Sequence, residues 1–192
     1  MTGLFFGSFN PVHTGHLIVA EYMRQHARLK EIWFVVSPQN PLKKEHDLLN
    51  EVHRLDMVRL AVKDNIHFSA CDIEFHLDKP SYTIHTLEAL AGKYPRKRFA
   101  LIMGADNLRT LERWKDYGGI LQRYPVLVYH RGTTRVSYRR KFEQVTYYHA
   151  PHIEISSTHI RNMVSENRSI RYLVPDRINR YILKNRLYKD FN

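Results

Sequence analysis

The segment LFFGSFNPVHTGHLIVAEYM, residues 4–23, decides the fold of this 192-residue chain. Its short apolar start predicts a buried strand that ends at Gly7, and the apolar spacing of residues 16–29 predicts a helix. The loop between them carries two histidines, His13 and His16. A helix that begins here exposes unpaired backbone N–H groups and the positive end of its dipole, so the loop is a natural site for an anion.

Strand-like and helix-like patterns alternate along the rest of the chain. The region 154–167 predicts a short strand that leads into a helix. Strands alternating with helices of this length are typical of βαβ units. The sequence therefore predicts one α/β domain over 1–192, with a central, mostly parallel sheet and helices on both faces. The other predicted strands are 31–37, 67–75, 98–106, 124–131 and 143–150, and the other predicted helices are 51–64, 81–94, 107–114 and 175–188.

The composition is that of an ordinary globular protein and restricts its partners. The net charge of +11 favours an anionic partner, either a phosphorylated small molecule or a nucleic acid. A single cysteine, Cys71, excludes a disulfide framework and fits a reducing compartment. We found no apolar run of about 18–20 residues and no secretory leader, so we expect no membrane span and a cytoplasmic location.

The residue types of the first loop suit a phosphate ligand. Gly7 allows a ligand to approach the backbone, and Gly15 allows close approach where the helix is expected to begin, at about Gly15–His16. Both imidazoles can donate hydrogen bonds to phosphate oxygens. A zinc site is disfavoured, because the two histidines are three residues apart rather than four and no third ligand is evident. A P-loop is excluded, because the chain lacks G-x-x-x-x-G-K-S/T.

Two signatures, GSFNPVHTGH at residues 7–16 and ISSTHIR at 155–161, occur in this order and at this separation. The pair resembles the nucleotidyltransferase superfamily that carries an H/T-x-G-H motif and an I-S-S-T-x-x-R motif. Within it, the chain most resembles the bacterial nicotinate-nucleotide adenylyltransferase family, through SPQNPLKK, KPSYTIHTLEAL, LIMGADN and RWKDY. Two positions depart from the family pattern, which often has Asp in place of Asn10 and of His85.

The resemblance implies a Rossmann-like nucleotidyltransferase fold and a reaction of ATP with nicotinate mononucleotide that gives deamido-NAD and pyrophosphate. No general base is needed, because the attacking phosphate is already ionised at neutral pH. Mg²⁺ would be bound through the ATP phosphates, with no protein metal site. The residues implied in catalysis are His13, His16, Lys43 and Arg161. Those implied in ATP binding are Gly7, Ser8, Phe9, His16, Gly104, Asp106, Ser157, Thr158 and Arg161.

The resemblance also implies a binding site for the acceptor nucleotide. Trp114 would stack on the pyridine ring, Thr83 would help to position its carboxylate, and Asn40 and Lys43 would complete the site. From the residues alone, Trp114 could equally be a core aromatic, Asp106 a helix cap, and Arg54 a solvated charge. Lys44 is interpreted as a surface lysine.

Three alternatives remain open at this point. A related adenylyltransferase would use nicotinamide mononucleotide or phosphopantetheine as the acceptor, although the pair Thr158 and Arg161 argues against the latter. A basic nucleic-acid-binding protein would need aromatic and basic stripes or a recognisable module, and we find neither. We therefore expect small-molecule substrates and no nucleic-acid or membrane partner, with homo-oligomerisation left open.

Overall fold

The fold was analysed in a computed structural model that describes residues 1–38, 48–131 and 142–189, with only the backbone of Arg131. Six strands form one sheet in the order β3-β2-β1-β4-β5-β6, and every neighbouring pair is parallel. The predicted α/β architecture with a parallel sheet is therefore confirmed. The strands are β1 (Thr2–Gly7), β2 (Glu31–Val36), β3 (Phe68–Cys71), β4 (Phe99–Gly104), β5 (Val126–Arg131) and β6 (Val145–Ala150).

Helices cover both faces of this sheet, because the central strands are apolar on both sides. Neighbouring residues of β1 illustrate this arrangement: Phe5 belongs to one buried cluster and Leu4 to the other. The first cluster includes residues of α1, α2, α6 and α7, and the second includes residues of α3, α4 and α5. The helices are α1 (Thr14–His26), α2 (Glu51–Val62), α3 (Thr83–Lys93), α4 (Ala105–Leu108), α5 (Tyr117–Arg123), α6 (Ser157–Ser165) and α7 (Asp176–Lys184).

Three predicted elements are wrong in type or length. The strand predicted over 67–75 ends at Cys71, and a 3-10 helix, Ile73–His76, follows it. The helix predicted over 107–114 is replaced by the short α4 and a 3-10 helix, Leu111–Arg113. The strand predicted at the start of 154–167 does not form. Ser156 there is extended but takes part in no ladder, and its side chain caps α6 instead.

Two helix boundaries also differ from the predictions. Helix α1 begins at Thr14, with His13 as its cap, rather than at Gly15–His16. Helix α7 ends at Lys184, and Pro175 lies just before its first turn as the capping residue. The earlier start of α1 places both histidines around its first turn, since His13 is the cap and His16 the third helical residue.

Candidate active site

The sheet order places two predicted ligand loops side by side. Strands β1 and β4 are neighbours at the centre of the sheet, and the chain reverses its winding direction between them. In open parallel sheets, ligands bind outside the carboxyl ends of the strands at such a reversal point. The loop after Gly7 and the loop after Gly104 both begin at this edge, so the two halves of the predicted ATP site lie close together.

The two histidines of the first loop are stacked and hydrogen-bonded to each other. Their ring centroids are 3.7 Å apart, and the His13 backbone N–H donates to Nδ1 of His16 over 3.2 Å. Because Nδ1 of His16 accepts this bond, its neutral ring carries the proton on Nε2. His16 therefore presents an N–H donor from the first turn of α1.

The two glycines of this loop lie against aromatic rings. A Cβ atom on Gly7 would lie 2.8 Å from the ring of Phe9, and one on Gly15 would lie 3.1 Å from the ring of His13. Phe9 is 2% exposed and has a left-handed backbone, with φ of 46°. Its side chain belongs to the hydrophobic core.

The second signature contacts the first directly. Oγ of Ser157 donates to the Pro11 carbonyl over 2.9 Å, and Nη1 of Arg161 donates to the Asn10 carbonyl over 3.0 Å. Nη2 of Arg161 also donates to the Thr158 hydroxyl over 3.3 Å. The structure therefore joins residues 146 positions apart in sequence and brings the start of α6 against the loop that precedes α1.

Helix α6 starts in a way that leaves backbone donors for a ligand. Its cap is Ser156, whose side chain accepts the His159 N–H over 3.1 Å. Capping therefore uses Ser156 alone and does not occupy the backbone N–H groups of Ser157 and Thr158, the first two residues of the helix. Such groups at a helix start bind anions well.

The loop after β4 is open to solvent. Asp106 is exposed as the second residue of α4, and Gly104 occupies the capping position, so the alternative that Asp106 caps this helix is wrong. A cavity of about 340 Å³ opens here, and its lining includes Gly104, Asp106 and Tyr129. A carboxylate at the rim of such a cavity can accept two hydrogen bonds from a pair of ribose hydroxyls.

The segments that carry Thr83 and Trp114 meet where Tyr82 contacts Lys115. Thr83 is the first residue of α3, and the preceding Tyr82 lies under Lys115, with 4.8 Å between Nζ and the ring centroid. Trp114 is partly buried and packs against the core cluster that contains Leu4. This position agrees with the alternative that Trp114 is a core aromatic. Its indole N–H is buried and has no hydrogen-bond partner within the described part of the chain.

Sequence reasoning missed two buried ionisable residues. Arg54, interpreted as a solvated charge, is 1% exposed and donates to four backbone carbonyls. The sequence contained one signal of this burial: Arg54 lies four residues before Val58, so the two residues share the buried face of α2. Glu74 is buried and accepts from the hydroxyls of Ser81 and Thr86, each over 2.8 Å. Burial raises the pKa of this carboxyl group, and its hydroxyl partners oppose that rise.

Some expectations fall outside the described residues, namely those for Asn40, Lys43 and Lys44. Over residues 1–38, 48–131 and 142–189, no group of three or more His, Cys, Asp or Glu side chains is arranged to hold a metal ion. In the same ranges, no helix has the length and apolar character needed to span a bilayer.

Comparison with known proteins identifies the family. The Cytidylyltransferase-like family model matches residues 4–163. A probable nicotinate-nucleotide adenylyltransferase of Cytophaga hutchinsonii is 48% identical over 98% of both chains. The protein of the same description from Flavobacterium johnsoniae is 46% identical over 97% of this chain and 98% of its own.

Solved structures show the same fold. The nicotinic acid mononucleotide adenylyltransferase of Plasmodium falciparum, complexed with NaAD, is similar with a TM-score of 0.81 and 21% identity, over 100% of this chain and 98% of that chain. A putative nicotinate-nucleotide adenylyltransferase of Vibrio parahaemolyticus gives a TM-score of 0.74 at 21% identity, over 98% and 95% of the two chains. The chain thus belongs to the Cytidylyltransferase-like family and, within it, to the nicotinate-nucleotide adenylyltransferases.

Proposed function

We propose that this enzyme transfers the adenylyl group of ATP to nicotinate mononucleotide and releases pyrophosphate. The observation that carries the proposal is the contact between the two signatures, in which Ser157 and Arg161 bond to the loop that carries His13 and His16. This contact gathers a guanidinium group, imidazole donors and two helix starts around one small volume. These groups are cationic or N–H donors, and they suit a triphosphate.

The triphosphate is assigned to the two helix starts. His16 donates to the α-phosphate from Nε2, while His13 supports the bound phosphates and orients His16 through its backbone. The backbone N–H groups of Ser157 and Thr158, together with Arg161, bind the β- and γ-phosphates. The Ser157 hydroxyl serves mainly to hold Pro11.

The nucleoside end of ATP is assigned to the loop after β4. Its ribose hydroxyls bond to the Asp106 carboxylate at the cavity beside Gly104. The backbone of Gly7, Ser8 and Phe9 lies at the carboxyl end of the neighbouring strand β1 and faces the same nucleotide. ATP therefore spans the central reversal point of the sheet, as nucleotides do in other folds of this type.

The acceptor is assigned to the side of Thr83 and Trp114. The indole ring provides a flat surface for the pyridine ring, and Thr83 at the start of α3 places a hydroxyl and helix N–H groups near its carboxylate. Asn40 and Lys43 are proposed to complete this side, and Lys43 is proposed to reach the phosphates.

Catalysis follows from placing two anions in line and stabilising the charge that moves to pyrophosphate. A phosphate oxygen of the mononucleotide attacks the α-phosphorus, the bond to the β-phosphate oxygen breaks, and that oxygen leaves with the electron pair. The attacking group is already ionised, so no side chain need remove a proton. His16, Lys43 and Arg161 stabilise the transition state electrostatically. Mg²⁺ bound to ATP phosphates would offset further charge, and the donor set described here suits phosphate oxygens rather than the cation itself.

The test is pyrophosphate release from ATP and Mg²⁺ with three acceptors measured in parallel: nicotinate mononucleotide, nicotinamide mononucleotide and phosphopantetheine. We expect the fastest release with nicotinate mononucleotide. Equal rates with both pyridine nucleotides would retain the reaction and contradict the preference for the acid. Release with phosphopantetheine alone, or with none of the three, would refute the proposal.

A further inference from the structure

Arg54 is the most unusual charged residue that the reaction above does not use. Its guanidinium group is almost completely buried, and within the described residues every bond that it donates ends on a backbone carbonyl. Nη1 donates to the carbonyls of Ser8 and Ser37, both over 2.7 Å, Nη2 to Pro38 over 2.7 Å, and Nε to Leu49 over 2.9 Å. Burial lowers the pKa of this group, although arginine keeps its charge in proteins. Because burying a cation is costly, such an arrangement calls for a positional role.

The bond to Ser8 fixes the orientation of one peptide group in the loop that faces ATP. The Ser8–Phe9 peptide is trans, so its carbonyl and its N–H point in opposite directions. With the Ser8 carbonyl directed at Arg54, the Phe9 N–H is directed away from Arg54. The next residue, Phe9, has a left-handed backbone conformation. Such a conformation persists only where the surrounding structure holds it.

The bond to Ser37 extends this control to a second loop. The Ser37 side chain is close enough to Glu74 to help lower the pKa of its carboxyl group. Glu74 accepts hydrogen bonds from the hydroxyls of Ser81 and Thr86. Ser81 and Thr86 flank Thr83, the proposed acceptor-binding residue at the start of α3. A chain of buried polar contacts therefore runs from the proposed triphosphate loop to the proposed acceptor side, and we name it the Arg54–Glu74 network.

We propose that Arg54 and Glu74 are positioning residues for the two substrates, with Arg54 orienting the Ser8–Phe9 peptide for ATP and Glu74 orienting the start of α3 for the acceptor. This inference rests on the proposed function. It predicts that substitution of Arg54 impairs the use of ATP, whereas substitution of Glu74 impairs the use of the acceptor.

The first experiment compares Arg54→Lys with Arg59→Lys, a matched control from the exposed face of the same helix. Lysine keeps the charge but cannot reach four carbonyls in a planar fork. We expect R54K to lower kcat/KM for ATP about 100-fold with little change in KM for the mononucleotide, since misplacement of about 1 Å can cost that much. R59K should stay within about twofold of the wild type. A value for R54K within threefold of the wild type would overturn the role of Arg54.

The second experiment uses Glu74→Gln and keeps the proposal testable if R54K does not fold. Gln replaces one of the two carboxyl oxygens that accept from Ser81 and Thr86 with an NH2 group, which cannot accept a hydrogen bond. We expect the KM for the mononucleotide to rise about tenfold while the KM for ATP stays within twofold. Equal changes in both constants, or changes that follow only the folded fraction measured by thermal unfolding, would show a merely structural role and contradict the proposal.

Binding of a non-hydrolysable ATP analogue, measured by calorimetry, separates this inference from the proposed function. A wild-type protein without activity that still binds the analogue, together with weaker binding by R54K, would refute the reaction and retain the role of Arg54. Equal affinities of the wild type and R54K would refute the role of Arg54 even if the reaction is confirmed.

Discussion

The loops that follow β1 and β4 start side by side at the centre of the sheet, yet they are built in opposite ways. In the loop after β1, Phe9, Asn10 and His13 are all buried. In the loop after β4, Asp106, Asn107 and Arg109 are exposed and border an open cavity. One loop is fixed before any ligand arrives, and the other presents its polar groups to solvent.

The difference follows from what each loop is proposed to bind. The first loop is proposed to face the reacting phosphorus, where donors must be held in place to stabilise the transition state. Its carbonyls are held by Arg54, Ser157 and Arg161. The second loop is proposed to bind a ribose, which takes no part in the bond exchange. Binding energy there is the same in the ground state and the transition state, so precise placement matters less.

The largest effect is expected for His16→Ala in the fixed loop. This change removes the proposed donor to the α-phosphate, and we expect kcat to fall about 100- to 1,000-fold while the protein stays folded. Steady-state kinetics with both substrates near saturation measures the loss. His85→Ala, at an exposed histidine, is the control. A turnover number for H16A close to that of the wild type would refute the role of His16.

The glycines that end β1 and β4 provide a direct test of the comparison. Alanine at Gly7 would place its Cβ 2.8 Å from the Phe9 ring, which is confined by Phe5 and Phe34, with ring centroids 6.0 and 5.6 Å away. We expect G7A to lower the free energy of unfolding by about 1–3 kcal/mol, as overpacking of a core does. Urea unfolding measures this change.

Gly104→Ala is the matched variant for the open loop. Its Cβ would meet the Tyr129 hydroxyl at 3.3 Å, at the far end of a side chain, and the backbone φ of −73° suits alanine. We expect a loss below about 1 kcal/mol, because the conformational restriction of the unfolded chain offsets part of the crowding. If G104A destabilises the protein as much as G7A, the contrast in rigidity between the two loops is wrong.

A smaller effect on activity is expected for Asp106→Ala in the open loop. Loss of the proposed ribose acceptor should raise the KM for ATP about tenfold and leave kcat within about twofold, since this contact is uniform through the reaction. Asp78→Ala, at an exposed carboxylate outside the residues that line this cavity, is a suitable control. A fall in kcat with an unchanged KM would indicate that Asp106 acts on the transition state, contrary to this assignment.

The sequence predicted the sheet and the meeting of the two signatures better than it predicted the supports behind them. Alternating apolar runs identify β1 and β4 because buried parallel strands are apolar on both faces. The loop histidines and Arg161 were recognisable through motifs. Arg54 was not, since an arginine on an amphipathic helix is normally solvated, and only the folded chain shows the carbonyls that it contacts. Gly7 was recognised as special, but the Phe9 ring that packs against it was not foreseen, because Phe9 turns inward through a left-handed backbone.

A small effect is expected for Tyr188→Phe, which removes one support of the fixed loop. The Tyr188 hydroxyl is buried and donates to Oδ1 of Asn10 over 3.0 Å, and the same oxygen accepts the Leu49 N–H over 3.3 Å. Because Asn10 keeps the second bond, we expect a loss of about 1 kcal/mol in the free energy of unfolding and a kcat within threefold of the wild type. Tyr172→Phe, at a side chain that is 81% exposed, serves as the control for both measurements. A tenfold fall in kcat at unchanged stability would mean that this single hydroxyl, rather than the combined contacts of Arg54, Ser157 and Arg161, sets the geometry of the loop.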